Sequence, residues 1–138
     1  MKFLLFIFLP AIFMTPANKE SVSISSLKKE LVTLNFQDNQ EPGNMRCVVF
    51  KAQEYCRAEM PPDFEFDFQF KVVSATVYFS GGNFRNVEKA FIKSNSLKPV
   101  KKFMDLCVPG TRVVFDDVKV EGPDKLVRQI PGLSLLLN

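Results

Sequence analysis

The chain has 138 residues, 46% hydrophobic and 24% charged, with a formal net charge of +3 and no histidine. That length bounds one domain, large enough to bury a core without metal support. The missing imidazole removes the usual base near neutral pH, Ser-His and Cys-His nucleophiles and His-ligated metal sites, while interspersed charges without a long basic run argue against nucleic acid.

The N-terminus reads as a secretory leader. Lys2 precedes an apolar stretch from Phe3 to Met14, broken by Pro10, and Thr15-Pro16-Ala17 supplies small residues before a polar start. Cleavage is expected near Ala17, giving residues 1–17 as signal peptide and an exported chain, periplasmic or extracellular. A membrane span needs about 20 apolar residues, more than this stretch holds. No cysteine follows it to carry a lipid anchor.

Residues 18–42 form an N-terminal extension or first strand. Leu27, Leu31 and Leu34 would share a helix face, but Val32, Leu34 and Phe36 alternate cleanly with Thr33, Asn35 and Gln37, which favours a strand followed by a polar loop. From Met45 to Met60, Val48, Ala52, Tyr55 and Cys56 fall near one helical face, so a short amphipathic helix is expected before Pro61-Pro62.

Phe64, Phe66, Phe68 and Phe70 then alternate with Glu65, Asp67, Gln69 and Lys71, a period that only a strand satisfies. Such a row is ordinarily the buried side of an antiparallel strand; the sharper alternative is an aromatic strip open to a partner strand. The phase shifts near Val72-Val73, after which Ala75, Val77 and Phe79 alternate with Thr76 and Tyr78, as a β-bulge would produce. Gly81-Gly82 supplies a tight turn.

Ser96 to Cys107 switches to helical period, with Leu97, Val100, Phe103, Met104 and Cys107 on one side. Lys98, Lys101 and Lys102 lie on the other, as a solvated face or as a basic surface for an acidic partner. The strand from Arg112 to Val120 is expected to place Val114, Asp116, Val118 and Val120 against Val113, Phe115, Asp117 and Lys119. Gly122-Pro123-Asp124 and Pro131-Gly132 are turns around short strands at Leu126–Ile130 and Leu133–Leu137. The fold class is therefore mainly β: an antiparallel, sandwich-like domain with one or two short helices.

Little in this inventory supports chemistry. Cys47, Cys56 and Cys107 are not in paired C-x-x-C spacing, so structural zinc is not expected, nor any other metal or cofactor. On one continuous helix Cys47 and Cys56 would be about 13 Å apart, too far to bridge. A Cys47–Cys107 or Cys56–Cys107 link and three buried thiols all stay open. Asp116 and Asp117 point to opposite faces, whereas Glu65 and Asp67 share one at about 7 Å, the sole pair that a hydrolase reading can use. A solvated face explains those two more simply. Ser80-Gly81-Gly82-Asn83 lacks the lysine and hydroxyl of a phosphate loop.

Three segments together resemble the C-terminal domain of GldM. They are FDFQFKVVSATVYFSGGNF, DLCVPGTRVVFDDVKVEGPD after the lysine-bearing helix, and the closing KLVRQIPGLSLLL, covering residues 43–138. The Gly122-Pro123-Asp124 turn followed by Arg128 is one of the marks. The resemblance implies a periplasmic β-rich module from gliding-motility and type IX secretion machinery of Bacteroidetes-type bacteria, the end of a rod that engages an outer-membrane-associated ring. A leader in place of the family's membrane helix would leave this chain unable to transmit motor force itself. The leading expectation is thus a non-enzymatic module binding envelope proteins of that machinery. A secreted adhesion or structural protein reusing the fold is the alternative, and a carboxylate hydrolase the remotest.

Overall fold

A computed structural model describes residues 32–36, 43–61 and 68–138. The leader, Leu27, Leu31, Phe64, Glu65, Phe66 and Asp67 lie outside the described residues.

Apolar alternation builds the main sheet. Strand β4 (Lys71–Gly81) turns through Gly81 and Gly82, at φ +72° and +56°, into β5 (Phe84–Ile92). These left-handed dihedrals suit glycine, and a β-carbon on Gly82 would also meet Val108 Cγ2 at 2.8 Å. Strand β6 (Arg112–Glu121) pairs with the other side of β4 and in turn with β7 (Val127–Ile130) and β8 (Leu133–Leu137). The two-residue β2 (Asn44–Met45) adds in parallel to β8, completing a six-stranded mixed sheet ordered β2-β8-β6-β4-β5 with β7 on β6.

One face of this sheet is the core wall. Val77 and Phe79 of β4, Ile92 of β5, Val113, Phe115, Val118 and Val120 of β6, and Leu135 and Leu137 of β8 are all buried. Against them lie a two-stranded sheet of β1 (Thr33–Asn35) and β3 (Arg57–Glu59), the helix α1 (Cys47–Ala52), and a 3₁₀ turn (Lys98–Val100) leading into α2 (Lys101–Leu106). Aromatic contacts join the layers: Phe36 meets Phe115 with centroids 5.2 Å apart and Phe50 at 6.2 Å, and Phe79 stacks on Phe103 at 5.5 Å. The result is the β-rich, sandwich-like class that the alternation anticipates.

Register shifts tune the long strands, one between β4 and β5 near Gly81 and two between β4 and β6. Val72 pairs with Val120 and Ser74 with Lys119, so β4 carries an extra residue at Val73, where the apolar phase slips. The next register shift was not anticipated. Thr76 pairs with Asp116 while Ser74 pairs with Lys119, which leaves Asp117 as the inserted residue of β6, at φ +48°. The face expected to hold Val114, Asp116, Val118 and Val120 is therefore split, and Val113 and Phe115 instead share the core with Val118 and Val120. Asp116 and Asp117 are both exposed rather than on opposing faces, and Asp116 accepts the Asp117 amide at 2.8 Å.

The helix expected over Met45–Met60 is corrected to the six residues Cys47–Ala52. Gln53 is already extended (φ −69°, ψ 135°), and β3 follows, placing Ala58 opposite Leu34 of β1 in an apolar pair. Burial of Cys56 comes from this extended segment, whose amide donates to Asn95 O at 2.9 Å, and not from a helical stripe. Helix α2 and its 3₁₀ turn keep the expected apolar side, with Leu97, Val100, Met104 and Cys107 buried. Phe68 and Phe70 are half-buried, and Phe70 forms a single bridge to Ala58 ahead of β4.

Candidate protein-binding surface

With α1, α2 and the small sheet all on one side, none of the described residues covers the opposite face of the main sheet. Register fixes its composition. Direct cross-strand partners share a face: Phe91 with Thr76, Lys89 with Tyr78, Tyr78 with Val114, Ser80 with Arg112, Val114 with Ser134, and Arg112 with Leu136. Val87 and Arg85 are exposed farther along β5, in the segment where its register to β4 shifts between the Phe79–Glu88 and Gly81–Phe84 pairs. Val87, Phe91 and Leu136 are 63%, 58% and 41% exposed, and Tyr78 and Val114 are half-buried. Three such strand spacings carry the face across about 14 Å from β8 to β5.

Its electrostatics are one-sided. Arg85, Lys89 and Arg112 are exposed here, against the carboxylate of Asp116, while the exposed Asp117 beside it is paired with Lys119 at 3.8 Å. Ion pairs among the described residues engage Lys101, Lys119, Lys125 and Arg128, and none of these three cations. Lys89 Nζ instead hangs over two rings, 5.1 Å from the Phe91 centroid and 5.7 Å from Tyr78. Those contacts hold the ammonium against the sheet while leaving its charge uncompensated.

The basic helix looks different. Lys98, Lys101 and Lys102 are exposed as the period predicts. Lys101 is however tied down, donating to the Lys51 carbonyl at the end of α1 and pairing with Asp105 at 3.1 Å. Lys102 lies 4.7 Å from the Phe103 ring. The helix thus reinforces the α1–α2 contact with one of its three cations.

Cys47, Cys56 and Cys107 are buried and unbridged. Burial pushes the Cys56 thiol up to about 11, and burial with the neighbouring Cys47 pushes Cys107 to about 11 as well. Their thiols donate to the carbonyls of Asn95 at 3.5 Å and Phe103 at 3.4 Å. At neutral pH both are protonated and poor nucleophiles. Alkylation of the folded chain at pH 7 should accordingly leave Cys56 and Cys107 unlabelled over times that fully label the denatured chain. Rapid labelling at either position, read by mass spectrometry, would contradict that.

A second charged feature closes the β6–β7 turn. Arg128 grips Asp124 in a two-pronged pair, one arm through Nη1 to Oδ1 at 2.9 Å and the other from Nη2 to Oδ2, and Leu126 N donates to the same Oδ1 at 3.2 Å. The Arg128 hydrogen bond foremost, helped by this amide, lowers the Asp124 carboxyl to about 2 from 3.8. A lowered folded pKa means a contribution fully present above pH 3.8 and lost as pH falls through about 2. An NMR titration should find the Asp124 midpoint near 2, and R128Q should return it towards 3.8; an unmoved midpoint would remove the pair as the cause.

A cleft of about 780 Å³ between β3 and the start of β4 is lined by residues including Asn35, Arg57, Glu59, Phe70 and Lys71. Glu59 there accepts from Asn35 Nδ2 at 3.1 Å. Among the described residues no group of histidine, cysteine, aspartate or glutamate is arranged to hold a metal ion, and no helix is long and apolar enough to cross a membrane.

Sequence reasoning missed the outer face because its members come from four strands and meet only through register. One signal was present. In Phe84–Ile92 both alternating sets mix apolar and polar residues, Phe84, Ala90 and Ile92 on one side and Val87 and Phe91 on the other, which marks a strand with apolar groups in solvent.

Among the described residues, both helices lie on one face of a mixed sheet and the other face presents cations and aromatic rings. The chain belongs to the GldM C-terminal domain family, whose profile matches residues 23–138 and so takes in β1 as well as the main sheet. Membership ties it to gliding-motility and type IX secretion machinery of the cell envelope. No curated protein matches the chain.

Proposed function

We propose that this chain is a non-enzymatic, exported binding module that associates with envelope proteins of gliding-motility or type IX secretion machinery. The open face of β5, β4, β6 and β8 carries this reading, because exposed Val87, Phe91 and Leu136 on one rigid sheet are the kind of surface that protein contacts bury. Family membership supplies the setting. Export rests on the leader pattern of residues 1–17, which would deliver the chain to the periplasm.

Affinity capture tests the proposal. Immobilised chain beginning at Asn18, incubated with envelope extract of its own cells, is expected to retain an identified motility or secretion component, and heat-denatured chain should not. Recovery of none, with the folded state verified by circular dichroism, would contradict the reading. A protein recovered with its first residue still Met1 in the cytoplasmic fraction would contradict export.

A further inference from the structure

We propose that the outer face of β5, β4, β6 and β8 docks an acidic protein surface whose apolar side chains cover Phe91 at one end of the face and Leu136 at the other. This rests on the binding-module reading and names the chemistry of the partner. Charge complementarity carries it. Three cations, Arg85, Lys89 and Arg112, stand against Asp116, the neighbouring Asp117 being paired with Lys119, and none of the three forms an ion pair among the described residues. A surface with that surplus steers and orients carboxylates and repels basic competitors. Lys89 has little freedom left to lose, since the Phe91 and Tyr78 rings already hold its ammonium at 5.1 and 5.7 Å.

The arrangement favours protein over lipid. A membrane-inserting face needs a contiguous apolar area with cations at its margin. Here the side chains of Ser80, Ser134 and Asp116 interrupt the apolar groups, and the cations lie among them. Directional polar groups distributed through an apolar patch match a partner with fixed donors and acceptors. The basic helix is the weaker candidate for an acidic partner, because Lys101 is already paired with Asp105.

The probe is a synthetic peptide alternating glutamate with leucine, titrated into the isotope-labelled chain and followed by amide NMR shifts. Expected are shifts at Tyr78, Val87, Lys89, Phe91 and Arg112, affinity that falls as salt is raised, and no binding of the matching lysine–leucine peptide. The variant R85E/K89E/R112E, all at exposed positions and therefore expected to fold, should bind the acidic peptide about tenfold or more weaker. Phe91→Ser, chosen to remove an anchor without altering charge, should weaken it as well. Shifts confined to Lys98, Lys101 and Lys102, or a variant that binds undiminished, would overturn the proposal. So would preferential binding to vesicles of phosphatidylcholine and phosphatidylglycerol in equal parts. If the charge-reversed variant still captures the envelope component recovered by native chain, the binding module stands and this face is not its contact.

Discussion

Phe115→Ala is expected to lower folding stability by about 3–5 kcal/mol, as measured by urea denaturation. Phe115 is fully buried at the centre of β6, with Val77 of β4 on one side and Leu133 of β8 on the other. Its ring meets Phe36, which also touches Phe50 of α1, so a single side chain joins the main sheet to the layer above it. Truncation removes ring burial and leaves a void that strands on both sides hinder from closing. A domain of this size has about 5–15 kcal/mol of stability, so a large share would go. Val87→Ala, two-thirds exposed on β5, should change stability by no more than about 0.5 kcal/mol. Equal effects at the two positions would contradict the assignment of inner and outer faces.

Gly132→Ala should cost about 1–3 kcal/mol through a different cause. Gly132 ends the turn between β7 and β8, and a β-carbon there would collide with the carbonyl oxygen of Phe115. That oxygen belongs to the backbone of a central strand, so relief requires the turn or β6 to move, whereas a clash with a flexible side-chain end is cheaply relieved. The expected signature is a lower urea midpoint and weakened amide protection at Leu133 and Phe115, which face each other across β6 and β8. An unchanged midpoint would mean that the turn approaches β6 less closely than described.

The two bulges between β4 and β6 show what the sequence made legible. At Val73 the flanking residues, Val72 on one side and Ala75, Val77 and Phe79 on the other, change phase visibly, and the register shift falls there. At Asp117 the signal is masked, because valines occupy both alternating sets of β6 and either phase looks apolar. Only pairing with β4 decides it. The helix over Met45–Met60 was overextended for a related reason: Tyr55 and Cys56 fit a helical stripe, but Ala58 gains its burial from the non-local partner Leu34, which local periodicity does not show. The Ser96–Cys107 stripe succeeded because its burial depends on one face alone.

The outer face was harder to read than the core. The lysines of α2 are conspicuous because they lie close together in the chain, yet one of them secures the helix to α1. Arg85, Lys89 and Arg112 are spread over 28 residue positions (112 minus 85, plus one) and converge only when β5, β4 and β6 align. Surface chemistry on a sheet is a property of register, and register is non-local.

Lysine acetylation footprinting in native cells would probe the arrangement most directly. In purified chain Lys89 and Lys102 should both react readily. In intact envelope the account predicts that Lys89 becomes shielded while Lys102 keeps its reactivity. Unaltered labelling of Lys89, with shielding at Lys98, Lys101 or Lys102 instead, would contradict recognition through the open sheet face.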